Sequence, residues 1–559
     1  MALSAPQYAE FEPPEECGER YCYLSYDHLA RVIQLDDVAA LREFIQLKPG
    51  LIAWTDVLFD AYLQPAPMDL AASMGRNACL RVLLDHEASL RPGAKGLSGQ
   101  KSDKFRRNAL VAACATGQLS TVQLLLDLQP PIDIQRPGDY VLYDFTPLLS
   151  VVACQEPWSD TRSRLPWTGE RDTIVRLLLD RGADARAACY SEGDGGEPAI
   201  KDTTLTLAMP SANPWVVRWL VDAGANPRAK TQNEWTGRDN VTPLHIGLFS
   251  GNVAGVKALL EFSTPDDLLI ADSDGELPLH SACRGRSNST ELFDRLLADH
   301  GVREATINAP NKRGHTPLHC AVSWHKPEAI PVLLRYGADY SAQDVNGRTP
   351  LSLLLSDPMV EHPEPEERDE AHAILSKFLN FFFADHVIRD VLINTADRSG
   401  YTPLHLAARA PCSWLIQRLL ENGADPNRCA SDGRTPLHTL LASTPDKYSD
   451  HTGFETDVEE GLICLLEDEG IRKATINAQD SRGYTPLHLA ACFVRVGHRI
   501  PLVRALLDRG ADVKALDGEG RTPLHALCAG VTRHDGPELE NEVDDDLIRR
   551  LLGLPASAT

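Results

Sequence analysis

Short apolar runs with helical spacing recur along the chain, and they come in pairs. The first run of a pair is short and apolar nearly throughout, as in Leu487-His-Leu-Ala-Ala491, which predicts a helix buried on most sides. Ten to fifteen residues later, or further on where a loop intervenes, a second run such as Ile174-Val-Arg-Leu-Leu-Leu179, Val256-Lys-Ala-Leu-Leu260 or Leu502-Val-Arg-Ala-Leu-Leu507 predicts a second helix. Many second runs end in Gly-Ala-Asp or Gly-Ala-Asn, at Gly182, Gly224, Gly337, Gly423 and Gly510, where glycine suits a left-handed helix C-cap.

The first runs share a tetrapeptide. Thr-Pro-Leu-His starts at Thr242, Thr316, Thr402, Thr435, Thr485 and Thr522, with Leu-Pro-Leu-His at Leu277 and Thr-Pro-Leu-Ser at Thr349. Looser versions begin at Ser25, Ala66, Asn108, Thr146 and Thr203, which makes thirteen copies. The tetrapeptide is a helix start: Thr is a good N-cap, Pro suits the first helical position, Leu enters the core, and His at the third position can bond back toward the cap. The unit is therefore helix, turn, helix, then a glycine-containing hairpin.

A larger period runs through the later copies. The compact copies at Thr316, Thr402 and Thr485 lie 86 and 83 residues apart, and the expanded ones at Thr349, Thr435 and Thr522 lie 86 and 87 apart. The evolutionary unit there is a double repeat, and Gly301-Val-Arg-Glu-Ala-Thr-Ile-Asn308 returns as Gly470-Ile-Arg-Lys-Ala-Thr-Ile-Asn477. Acidic insertions at 356–370, 443–459 and 530–544 are expected between first and second helices, projecting from one edge, with a mixed-charge insertion bearing Trp158 and Trp167 at 155–170. They read as solvated spacers or as an acidic fringe that steers a basic partner.

These residues resemble the ankyrin-repeat family, whose pattern runs D-x-x-G-x-T-P-L-H-L-A-A, a second helix, then L-L-x-x-G-A-D. Asp480-Ser-Arg-Gly-Tyr-Thr-Pro-Leu-His-Leu-Ala-Ala491 matches it at every fixed position, and the likeness extends over about residues 25–553, in the style of the long all-ankyrin chains of filamentous fungi. The expected fold is an all-α repeat solenoid of about thirteen stacked helix-turn-helix units. An acidic N-terminal segment (1–24) precedes degenerate copies (25–240), regular copies (241–553) and a short tail (554–559). The resemblance implies partner binding on hairpin tips and on the exposed face of the first helices, with specificity in the variable positions.

Those positions have a pattern of their own. The residue before each Thr reads His315, Arg348, Tyr401, Arg434, Tyr484 and Arg521, and stacking at ~10 Å per helix would set them in a row of roughly 50 Å. Tyr and Arg are enriched at interface hot spots. Lys312, Arg313, Arg398 and Arg482 add positive charge, interleaved with Asp344, Asp397, Asp432, Asp480 and Asp517. The row reads either as a binding ridge or as soluble hairpin residues that preserve the double repeat, and Trp235 and Trp324 are further candidates for an exposed contact.

Composition narrows the function classes. With 55 basic and 79 acidic residues in 559, the formal charge of −24 opposes nucleic acid and anionic lipid. Thirteen scattered cysteines without a C-x-x-C pair indicate neither a disulfide framework nor a zinc ribbon, and point to reduced thiols in a cytoplasmic, or nuclear, setting. The polar N-terminus does not read as a signal peptide, and even Phe378–Phe383 is too short to span a bilayer.

No motif of metal, nucleotide or nucleophilic chemistry is complete. Gly93–Ser102 has the look of a phosphate loop but Gln100 separates Gly99 from Lys101, so it reads as a connector. Asp272-Ser-Asp-Gly275 has its glycine too early for a calcium loop and reads as a hairpin tip. His245, His280, His319, His405, His438, His488 and His525 have capping duty, and His315 precedes the helix that carries His319, so the two need share no face. Cys283, Cys320, Cys492 and Cys528 occupy small-residue positions of first helices.

The expectation is a non-enzymatic, protein-binding scaffold or adaptor with no cofactor and no metal, its partner and oligomeric state open. An enzyme using the repeat cleft and an RNA-binding solenoid with tyrosine stacking are the alternatives.

Overall fold

The computed structural model describes residues 27–47, 65–89, 99–138, 145–154, 165–192, 198–233, 237–357, 368–410, 412–442, 451–492, 500–531 and 545–554. Segment 1–24, Trp158, Trp235 and most of the four insertions lie outside them. The chain divides into two compact units, one up to Leu292 and one from Phe293. Each is a helical repeat stack, and the fold class is the all-α repeat solenoid expected from the tetrapeptide.

In the first unit the first helices Pro67–Ser73, Gly99–Thr116, Pro147–Ala153, Thr204–Ala208, Pro243–Ser250 and Pro278–Arg284 pack in succession, each on the next. The second helices Val38–Leu47, Asn77–Ser89, Leu119–Leu126, Gly169–Asp180, Pro214–Asp222 and Val253–Leu260 form a parallel layer in the same order. The second unit repeats the scheme with first helices Pro317–Ser323, Pro350–Leu355, Pro403–Arg409, Pro436–Ala442, Pro486–Cys492 and Pro523–Val531. A first helix has neighbours before, behind and beside it, so nearly every residue is covered: Pro403, Leu404, His405, Leu406, Ala407 and Ala408 are all buried. Small alanines let the flanking helices come close. A second helix buries one stripe, as Leu415, Ile416 and Leu419 do in Ser413–Glu421.

The copies are joined by the tetrapeptide histidine. Nδ1 of His405 accepts from the Thr402 amide at 3.2 Å and lies 2.8 Å from the Thr402 hydroxyl, while Nε2 lies 3.0 Å from the Arg434 carbonyl oxygen of the next copy. A carbonyl oxygen only accepts, so Nε2 carries the proton and Nδ1 the lone pair. The same tie runs from His245 to Glu276, from His319 to Arg348, from His438 to Tyr484 and from His488 to Arg521, at 3.0–3.1 Å. Where Ser352 replaces the imidazole, the Thr349 hydroxyl instead accepts from the Ser352 amide at 3.2 Å.

Several local features depart from the sequence reading. The hairpins of two copies lengthen into antiparallel ladders, Ala188–Glu192 with Pro198–Thr203 and Thr231–Asn233 with Arg238–Val241. Gly99–Ser102, read as connector, open the helix Gly99–Thr116, so Asn108 lies inside a helix rather than at its start. Parts of two insertions are helical, because Arg368–Ala384 and His451–Leu466 extend second helices backward into the acidic text. An extra helix follows in each double repeat, at His300–Thr306, His386–Leu392 and Glu469–Thr475, capped by Asp299, Asp385 and Asp468. The Gly-Ala-Asp glycines adopt the predicted conformation, with φ of 84–100° at Gly182, Gly224, Gly337, Gly423 and Gly510.

Burial depresses the histidines that tie the copies. It takes His245 and His319 from 6.5 to about 4, against hydrogen bonds to Glu276 and Arg348 that work the other way, and it lowers His405 and His438 too. Unfolded histidine titrates near 6.5, so between pH 6.5 and about 4 the unfolded chain binds more protons than the folded one. Stability is complete above that window and lost as pH falls through it, by about 3 kcal/mol for His319 alone. The urea midpoint of the full chain should therefore drop steadily from pH 7.5 to 5.0. A flat midpoint would show that the folded imidazoles titrate normally.

Candidate partner-binding surface

In the second unit each hairpin tip but one is assembled from one side chain and one backbone exception; the tip that opens on Ala430 instead uses Asp432, beside the glycine, to accept from the Arg434 amide at 3.1 Å. The opening Asp or Asn turns its carboxylate or amide oxygen into the loop: Asp344 Oδ1 accepts from the amides of Asn346 and Arg348 at 2.8 and 2.9 Å, and Asp480 Oδ1 from those of Arg482 and Tyr484 at 2.9 and 2.8 Å. The glycine three residues on takes a positive φ, and it also lets the next tip approach. A Cβ on Gly400 would lie 2.6 Å from the Ser431 amide nitrogen.

Through that gap the tips bond to one another. Val345 donates its amide to the Arg313 carbonyl at 3.1 Å, Arg398 to Asn346 at 3.0 Å, Ser431 to Ser399 at 2.9 Å, Ser481 to Asp432 at 2.9 Å and Gly518 to Arg482 at 2.7 Å. The second unit thus carries a backbone ladder that runs from tip to tip and holds their side chains in register. Asn308, Asn394 and Asn477 add a second row: their amide oxygens accept from Asp339, Asp425 and Asp512 at 2.7–2.8 Å, joining each extra helix to the next Gly-Ala-Asp turn. The recurrence of Thr-Ile-Asn was the signal for Asn308 and Asn477, whereas Asn394 follows Leu392-Ile393.

The ten candidate residues separate into two sets. The six before the Thr are half-buried and engaged. Arg348 holds Asp344 at 2.8–2.9 Å, Arg434 lies 3.5 Å from Asp432 and 3.7 Å from Asp480, and Arg521 donates to Asp517 at 2.8 Å and to the Tyr484 hydroxyl at 2.6 Å. Burial works against the Asp344 and Asp517 carboxylates, yet bonds from Arg348 and Arg521 hold both below the usual range. The rings of Tyr401 and Tyr484 make T-shaped contacts with His405 and His488, at 5.5 and 5.9 Å, and the Arg521 guanidinium lies over the Tyr484 ring. Lys312, Arg313, Arg398 and Arg482 form the other set: all four are exposed at tips, and none makes an ion pair among the described residues.

Elsewhere the structure amends particular expectations. His315 and His319 do share a face, with rings stacked at 5.6 Å and 10°, because the loop entering the helix folds His315 over it. Asp272 forms a hairpin tip whose carboxylates are gripped by Arg238, which also reaches Glu276. Burial opposes ionisation of Glu276, but Arg238 and Arg284 hold it at about 2. Trp324 is exposed at the end of Pro317–Ser323, and Trp167 donates to Asp172 at 2.8 Å. Cys283 and Cys320 are buried as small-residue substitutes, whereas Cys492 is half-buried and Cys528 exposed. Among the described residues no cluster of three or more His, Cys, Asp or Glu is placed to hold a metal ion, and no helix is long and apolar enough to cross a membrane.

Comparison with known proteins finds family models described as ankyrin repeats matching residues 205–303, 244–344, 388–440 and 482–518. Human Rabankyrin-5 is 30% identical over 37% of this chain and 15% of its own length. Mouse neurogenic locus notch homolog protein 1 is 32% identical over 46% of this chain and 10% of its own length. The chain thus spans less than a fifth of these curated relatives. The crystal structure of the ankyrin repeat domain of Bcl-3, titled a member of the IkappaB protein family, aligns with TM-score 0.33 and 27% identity over 45% of this chain and 95% of that one.

The tip architecture makes two similar substitutions unequal. Gly423→Ala meets a positive φ in open space and should cost about 1 kcal/mol. Gly400→Ala meets a positive φ and the Ser431 backbone together, and should cost about 3 kcal/mol. Urea unfolding of both variants measures the difference; equal costs would mean that the tips are not held against one another.

Proposed function

We propose that this chain, an ankyrin-repeat protein, is a cytoplasmic scaffold or adaptor that binds another protein across the hairpin tips of its second unit. One observation carries the reading: the ladder from Arg313 to Gly518 fixes a row of tips, and the cations exposed on it make no ion pair among the described residues. Unpaired charge on a preorganised backbone is available to a partner without first breaking an internal bond. The arginines and tyrosines before each Thr support that row from beneath by neutralising aspartates and packing on histidines. The role is one of recognition and not of catalysis, in keeping with the family's repeats.

The division between exposed and engaged residues decides which variant tests the idea. Lys312→Ser, Arg313→Ser, Arg398→Ser and Arg482→Ser together remove surface charge that no internal bond needs, so helicity and urea midpoint should stay as in the parent. Affinity for a partner captured by the parent chain should fall about tenfold, the order expected from four exposed charges worth a few tenths of a kcal/mol each. A photo-crosslinker at exposed Asn346 or Ser399 should join that partner to the tips. Undiminished affinity, with no crosslink from either position, would move the interface off this row.

A further inference from the structure

A thiol and an imidazole meet at a place that neither the repeat packing nor the tip ladder requires. Cys412 is the N-cap residue of the nine-residue helix Ser413–Glu421, and its side chain makes no cap hydrogen bond. Its Sγ lies 3.9 Å from Nε2 of His372, on the helix Arg368–Ala384 forty positions earlier. The His372 ring is stacked on Trp414 with centroids 5.6 Å apart and planes at 25°, which fixes the face it turns to the sulfur. Both residues of the pair are half-buried, within reach of small molecules.

We infer that Cys412 and His372 form a reactive-thiol site that takes small soft electrophiles and hydroperoxides. The imidazole is a base within reach of the thiol proton, and the positive end of the helix favours the thiolate left behind. Among the described residues, Glu460 of the neighbouring helix His451–Leu466 brings a carboxylate to Ser413, next to Cys412. It is exposed and accepts from the Ser413 hydroxyl at 2.8 Å, so solvent and a donor both blunt its field at the sulfur.

Five of the other described thiols have the opposite surroundings. Burial pushes Cys79 and Cys189 up to about 12 and raises Cys114, Cys464 and Cys492 as well. Cys429 is exposed, with its Sγ 3.7 Å from the Asn427 carbonyl, and it serves as an internal standard on the same chain.

With a hydroperoxide the step balances as follows. The thiol proton passes to His372 Nε2, the thiolate sulfur attacks the distal peroxide oxygen, and a sulfur–oxygen bond forms as the oxygen–oxygen bond breaks. The leaving alkoxide or hydroxide takes the proton from His372. Cys412 is oxidised to a sulfenic acid and the hydroperoxide is reduced to an alcohol or water. With iodoacetamide a sulfur–carbon bond replaces the carbon–iodine bond, and iodide leaves.

The test is alkylation of the folded full-length chain with limiting iodoacetamide, read by mass spectrometry as the ratio of Cys412 to Cys429 labelling. At pH 6.5, where few thiols ionise unaided and a neighbouring imidazole can take the proton, the ratio should be about five. It should fall toward one by pH 9. In His372→Gln the pH 6.5 ratio should fall to near one, while a role confined to packing would expose the thiol and raise labelling at every pH. Hydrogen peroxide followed by dimedone should mark Cys412 in the parent and far less in the variant. A ratio of one or less in the parent, a ratio that does not change with pH, or a variant that keeps the parental ratio at pH 6.5 would each overturn the proposal.

Discussion

The bond from a buried histidine to the backbone of the following copy is the constraint on which the rest of the architecture depends. A stack of helix pairs is held sideways by apolar packing, which has no direction and tolerates sliding. The imidazole supplies direction. One nitrogen is committed to the amide of its own N-cap Thr and the other to the carbonyl that precedes the next tetrapeptide, so a copy that carries the histidine sets the height and rotation of its successor. The arrangement requires a neutral ring with the proton on Nε2, and burial supplies that protonation state by penalising the charged form.

The tips follow from this placement. Once the residue before each Thr is anchored through its carbonyl, the loop ahead of it has a fixed start, and the Asp side chain and the positive-φ glycine close it in a single shape. Adjacent loops of the same shape at a fixed offset can then exchange a backbone hydrogen bond, and the second unit does so from tip to tip. The backbone of such a ladder has little freedom to lose on binding, and the cations it bears, which make no ion pair among the described residues, stand in solvent on a fixed frame. The arginines one step nearer the helices have a different environment: beside buried aspartates, their charge is spent on keeping those carboxylates ionised within the fold.

The repeat text also contains more than the repeat needs. Three helices headed by Asp299, Asp385 and Asp468 deliver an asparagine to the next turn in each double repeat, so the long period has a structural purpose beyond duplication. Two of the insertions between first and second helices lengthen the second helix, at Arg368–Ala384 and His451–Leu466. One consequence is that His372, on such a lengthened helix, reaches Cys412 of the following compact copy.

From the chain alone it was determined that the protein repeats, where the first helices of the regular copies begin, that the Gly-Ala-Asp glycines take positive φ, and that the tetrapeptide histidines bond to their own caps. All of these are local: they depend on residues within a few positions, and sequence adjacency carries the physics. The tertiary structure decided what depends on distance in space. It turned Arg348, Arg434 and Arg521 toward aspartates and left Arg313, Arg398 and Arg482 in solvent, although sequence spacing had put them in one row. It folded His315 onto His319, replaced two short hairpins by strand pairs, and brought a thiol and an imidazole together across forty residues. A one-dimensional pattern records which residues are close along the chain, while charge neutralisation, ring stacking and proton transfer fall off within a few ångströms of space.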